Sequence, residues 1–176
     1  MAPTASMGAA GMSKRMRVRG FLSHAHEDRR LVERFRRLLD DRLAIDRSLD
    51  FSIWWDDDIL VGELWDSRIR EAMATADFGL LAISPAFLAS PYIATVEIPT
   101  IVNDPAMLVI PVGLQSVDFA RSDLHGLEAH QIFRFRTPGA SPPRFFADLS
   151  GQNPARFCDR LAGQISARCL GHRTRP

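Results

Sequence analysis

One carboxylate in this chain sits where a carboxylate is expensive. Glu97 lies in the stretch from Ser84 to Val102, Ser-Pro-Ala-Phe-Leu-Ala-Ser-Pro-Tyr-Ile-Ala-Thr-Val-Glu-Ile-Pro-Thr-Ile-Val. Ser90 is a good N-cap and Pro91 suits a first helical position, where a missing N–H costs nothing. A helix begun there carries Glu97 about two turns in, with Ile93, Ala94, Thr100 and Ile101 facing the same way. A lone charge among apolar side chains is costly to desolvate. Glu97 is therefore either wet at the helix margin or set in a pocket that uses it.

Other residues with chemical potential read more plainly. His24 and His26 with Glu27 and Asp28 match no standard metal-ligand spacing and read as a polar loop at a cleft mouth. Asp56, Asp57 and Asp58 form an acidic run of the kind that meets Mg²⁺, but a solvated loop is the simpler reading. No metal site is expected. Ser23 and Ser84 read as helix caps, since no Ser/His/Asp or Cys/His arrangement supports a nucleophile. Gly113 and Gly126 form no phosphate-cradling motif.

The elements that position these groups alternate along the chain. Val18–Ser23 reads as a strand, His24–Asp28 as the turn after it with Asp28 placed to cap, and Arg29–Leu43 as an amphipathic helix. Leu49–Trp55 is a second strand in which one of Trp54 and Trp55 faces the core and the other a pocket rim. A loop over Asp56–Gly62 and a helix over Glu63–Ala74 follow. Asp77–Ser84 and Ala106–Val112 are apolar enough for strands covered on both faces, and Gln131–Arg136 reads as an edge strand. Pro138–Pro143 is a turn, and Phe157–Leu170 a closing helix. The pattern predicts an α/β flavodoxin-like three-layer sandwich, its five-stranded, mostly parallel sheet ordered 2-1-3-4-5. Residues 1–16 read as a disordered lead, 17–171 as a single domain and 172–176 as a tail.

In such a sheet the crevice opens at the carboxyl ends of the strands where the order reverses, between strands one and three. That places Ser23, His24, Ala25 and His26 on one side and Ser84 onward on the other, flanked by the loop from Trp55. Glu97, on the helix leaving strand three, can point back into the same space.

The totals bound the partners. In 176 residues with 46% apolar and 24% charged side chains there is room for one domain with a proper core. A net charge of +1 gives no broad electrostatic footprint for nucleic acid. The two cysteines, Cys158 and Cys169, would lie about 16 Å apart on one helix, too far to bridge. With no signal-peptide core and no apolar run of membrane-spanning length, a cytoplasmic protein is expected, engaging neither membrane nor nucleic acid.

Taken together, Phe21-Leu-Ser-His-Ala-His-Glu-Asp28, Trp55-Asp56 with Gly62 and Trp65, Ala72 with Asp77, and Ser84, Ser90 and Glu97 resemble the TIR (Toll/interleukin receptor homology) domain in its bacterial branch. The resemblance runs from about Arg19 to Val112. It implies NAD⁺ as substrate, with no further cofactor, cleaved at the nicotinamide–ribose bond to nicotinamide and ADP-ribose or a cyclic isomer in antiphage or immune signalling. Glu97 stands at the position of the family's catalytic glutamate. Losing a pyridinium leaves an oxocarbenium-like ribose, which a nearby negative charge stabilises. The leaving group is already cationic, so one carboxylate is enough.

By the same resemblance Ser23, His24, Ala25, His26, Trp55, Asp56, Ser84, Tyr92 and Ile93 border the substrate. The loop Asp58, Ile59, Leu60, Val61 and Gly62 mediates self-association, and a separate sensor or effector protein is implied. The sequence departs from the family at three places. Ile93 replaces a Trp, leaving Tyr92 to supply the ring or the contact absent; Pro99 should kink or end the helix; and His24, Ala25 and His26 follow the first strand. Two alternatives belong beside this reading: a non-enzymatic TIR–TIR interaction module, and a nucleoside deoxyribosyltransferase-like enzyme in which a Glu attacks the sugar.

Overall fold

In the computed structural model of the chain, residues 15–56, 65–137, 139 and 142–173 are described. β1 (Met16–Ser23), β2 (Leu49–Trp54), β3 (Phe78–Ile83) and β4 (Leu108–Gly113) form one sheet in the order β2-β1-β3-β4, every pairing parallel. Between them run α1 (Arg29–Leu43), α2 (Trp65–Ala74), α3 (Pro85–Ala89) and α4 (Ile98–Val102), and α5 (Asn153–Arg173) closes the chain. The four strands hold the first four places of the expected order. Among the described residues, Gln131–Arg136 does not form the expected fifth strand as such. Phe133 makes a single parallel bridge to Val112, its N–H donating to the Pro111 carbonyl and its carbonyl accepting from Gly113 N–H. Phe135 then turns away to pair with Arg144.

Strand alternation divides the core into two layers. Val18 and Leu22 of β1, with Phe78, Leu80 and Ala82 of β3, pack beneath Phe35 of α1 and Phe157 of α5. Phe21 of β1, with Leu81 and Ile83 of β3, faces Ile69 of α2 and Ile98 and Ile101 of α4. β3 is buried at all six positions, as a strand covered by helices on both faces must be. Gly79 lets α4 approach closely, because a Cβ there would lie 2.6 Å from the Ile101 side chain.

The segment after β3 contains one helix more than the sequence reading gave. Ser84 caps α3, its Oγ accepting from Phe87 N–H at 2.9 Å, with Pro85 in the first turn. Ser90 then caps a second helix through Ile93 N–H at 3.4 Å, and Pro91 is its first residue. Pro99 does not end this helix. A π-helical segment, Ile93–Glu97, intervenes, with the Ile98 N–H reaching back to the Ile93 carbonyl, and Pro99 falls in the first turn of α4. The closing helix begins four residues earlier than expected. Cys158 and Cys169 are both buried on it and are not joined in a disulfide.

Candidate active site

β1 ends at Ser23, and its side chain points to the α4 side of the sheet, as Phe21 does two residues before. Glu97 comes down from the π-helical segment to meet it. The Ser23 hydroxyl donates to Glu97 Oε2, and both residues are buried, at 1% and 6% exposure. They close the floor of a cavity of about 350 Å³ bounded by the β1 and β2 carboxyl ends, α2 and the helix from Pro91.

The walls are aromatic and small. Trp54 stacks on Phe21 at 5.4 Å with the rings 12° apart, which fixes one wall. Trp65, 42% exposed at the start of α2, lies 4.6 Å from the Tyr92 ring and makes the opposite rim. The Tyr92 hydroxyl donates to Asp66 at 2.8 Å, and the same carboxylate accepts from Arg70. Burial and that hydrogen bond hold the phenol well above its ordinary pKa. Ala86, Ala89, Pro91 and Ile93, from the two helices after β3, also line it.

Burial dominates the charge of the floor. It raises the Glu97 carboxyl to about 7, the Ser23 hydroxyl partly offsets this, and the nearby Asp56 carboxylate adds to the rise. Asp56 is itself held between two imidazoles, Nε2 of His24 at 3.4 Å and Nδ1 of His26 at 3.3 Å. His24 is buried and His26 exposed, so the turn presents one ring to the protein and one to the cavity mouth. Among the described residues no group of three or more His, Cys, Asp and Glu is placed to hold a metal ion.

Behind the cavity lies a second polar cluster. Asp28, 3% exposed, accepts from the Ser84 hydroxyl and from the Gln115 side-chain amide. It occupies the capping position of α1 but makes no side-chain cap. The cap expected of Asp28 is replaced by bonds to the ends of β3 and β4, because a buried carboxylate needs partners more than an exposed helix start does.

A family model for the TIR domain matches residues 21–149. The chain belongs to the TIR domain family. The match takes in Ser23, Asp56 and Glu97, and with them both walls of the cavity. A search of curated proteins found no match.

Within this TIR domain the cavity gathers Ser23, His24, Ala25, His26, Asp56, Tyr92, Ile93 and Glu97 from the sequence-derived set. It does not gather two others. Trp55 is buried on the other face of the sheet, 5.5 Å from the His24 ring and beneath the Arg36 guanidinium, so Trp54 takes the wall position. Alternation decides this: Ile53 and Trp55 share the α1 side and Trp54 the α2 side. Ser84 lies outside the lining because its hydroxyl serves Asp28 and the α3 cap. The loop residues Asp58, Ile59, Leu60, Val61 and Gly62 lie outside the described residues. Sequence reasoning gave no role in the site to Phe21, Ile69 or Gln115; Gln115 lies 87 residues from Asp28, and nothing local points to it.

Proposed function

We propose that this TIR domain cleaves the nicotinamide–ribose bond of NAD⁺, with Glu97 as its catalytic carboxylate. The observation that carries the reading is a carboxylate nearly sealed from water at the floor of an aromatic-walled cavity, bonded to Ser23. An anion in so poorly solvated a place interacts strongly with positive charge that develops beside it. In the reaction the C–N bond breaks, its electron pair neutralises the pyridinium as nicotinamide leaves, and the ribose carbon becomes oxocarbenium-like. Water adds to that carbon and releases a proton, giving ADP-ribose, or an adenine nitrogen of the same molecule adds and gives a cyclic isomer. Glu97 must be ionised to act in either case.

The cavity volume suits the nicotinamide–ribose end rather than the whole dinucleotide. The Trp54 and Trp65 rings offer faces for a planar heterocycle. Asp56, which lines the cavity beside the His24 and His26 rings, would hold ribose hydroxyls. The rest of the substrate would extend past His26 into solvent or against a neighbouring copy, in keeping with activity that depends on self-association and a separate sensor.

The test is nicotinamide release by the concentrated or bead-captured chain, with Glu97→Ala beside it. Release by the wild-type chain that falls to background in the variant is the expected result. Equal release by both rejects the assignment. Partner binding that survives Glu97→Ala with no loss of NAD⁺ places the chain among interaction modules instead, and release of free base from deoxynucleosides would indicate transferase chemistry.

A further inference from the structure

The π-helical segment ends at Glu97 itself, and two residues later stands a proline. Pro99 has no N–H to offer the carbonyl four residues back, and its ring crowds that carbonyl, which belongs to Thr95. A continuous α-ladder therefore cannot pass this point unstrained. The chain instead steps to the wider repeat over Ile93–Glu97, Ile98 N–H bonding the Ile93 carbonyl, and restarts as α4 with Pro99 in its first turn, where no N–H is required. Core contacts pin both ends of the step: Ile93 at its start, Ile98 and Ile101 after it, all buried. The one polar side chain buried within the step is Glu97.

We infer that Pro99 is a positioning residue, which by enforcing the π turn sets Glu97 at the depth where Ser23 can donate to it. The inference rests on the proposed role of Glu97 for its catalytic readout, but the geometry stands without it. An extra residue per turn turns the side chains on either side relative to one another, so loss of the π turn moves Glu97 while Ile98 and Ile101 stay seated against β3. Pro99 is not among the residues that line the cavity, so the influence inferred for it runs through the backbone.

The experiment uses the full chain with Pro99→Ala. Alanine restores the N–H, so the helix can close its α-ladder and the fold is not put at risk. Glu97 is followed by NMR of ¹³C-labelled glutamate carboxyls, its signal identified by its disappearance in Glu97→Gln. A Glu97 midpoint lowered by about one unit or more in Pro99→Ala, with thermal stability kept or raised, is expected, because leaving the sealed floor removes the burial that raises it most, and this outweighs the loss of the Ser23 hydroxyl that lowers it. A fall in kcat on the order of ten-fold to a hundred-fold, with KM changed much less, accompanies it. An unchanged midpoint overturns the inference, whatever the activity. A shifted midpoint in a chain whose Glu97→Gln variant still releases nicotinamide upholds the positioning and defeats the catalytic reading, which separates the two.

Discussion

Glu97 keeps its proton near neutral pH because so little water reaches it, and that has consequences in two directions. For catalysis the carboxylate must be ionised, so kcat/KM of the proposed reaction should rise with pH through about 7 and level off above it. The Ser23 hydroxyl favours the ionised form, so Ser23→Ala should move that rise to higher pH, which a pH–rate profile reads directly. For stability the sign reverses. Between its ordinary 4.5 and about 7 the unfolded chain has released this proton while the folded chain holds it, so folding weakens as pH rises across that window. The Gln variant escapes the penalty. Glu97→Gln should therefore be more stable than wild type at pH 8, by on the order of 3 kcal/mol in denaturant unfolding, and no more stable at pH 4. The same variant should lose nicotinamide release by about a hundred-fold or more. A carboxylate kept at a cost to the fold is what a functional role would look like.

At the scale of elements, the helix bearing Glu97 is located by its fit to β3. The 2.6 Å that separates a hypothetical Cβ on Gly79 from Ile101 leaves no room for a methyl group. Gly79→Ala should push α4 outward, lower the free energy of unfolding by about 1–3 kcal/mol through overpacking, as read by denaturant unfolding, and widen the Ser23–Glu97 approach. The Asp28–Ser84–Gln115 cluster locks the other side. Ser84→Ala removes the α3 cap and one partner of a buried carboxylate together, an expected loss of about 2–4 kcal/mol measured by urea unfolding. Asp28 lies two residues from His26, so this variant should also loosen the turn that borders the cavity mouth. The proline-bearing segment shows how a local rule and its outcome diverge. Pro99 announced a break in the helix, and the break took the form of a widened turn rather than an end, because Ile98 and Ile101 still had a core to enter.

At the scale of the whole molecule, the parallel sheet brings its carboxyl ends to one edge of the domain, and the cavity opens at those of β1 and β2, bordered by α2 and the helices after β3 rather than by β3 itself as the strand order alone suggests. Among the described residues no helix is long and apolar enough to cross a membrane. The cavity is open at its mouth, where His26 and Trp65 are exposed, and a second copy could close it. If it does, nicotinamide release per chain should rise with protein concentration, and a dilution series at fixed NAD⁺ would show turnover falling faster than linearly. A strictly linear series would assign a complete site to each chain.

Much of this was legible in the chain itself. The helix over Arg29–Leu43 has both its ends where the periodicity put them, the apolar runs at β3 and β4 are strands covered on both faces, and Ser90 with Pro91 opens the helix that carries Glu97. These are local signals, set by side-chain period, caps and the missing N–H of proline. What the chain alone could not fix were contacts between distant residues. Which of two adjacent tryptophans faced the cavity depended on the register of β2 against β1. The loss of Asp28 from its cap depended on Ser84 and Gln115 arriving beside it. Gln131–Arg136 alternates like a strand, yet a strand is made by its partner, and beyond Phe133 the backbone bonds of this segment go to Arg144 rather than to β4. Sequence determines what each segment can form; only packing decides which buried polar groups meet, since a group leaving water takes whatever partner the fold brings within reach.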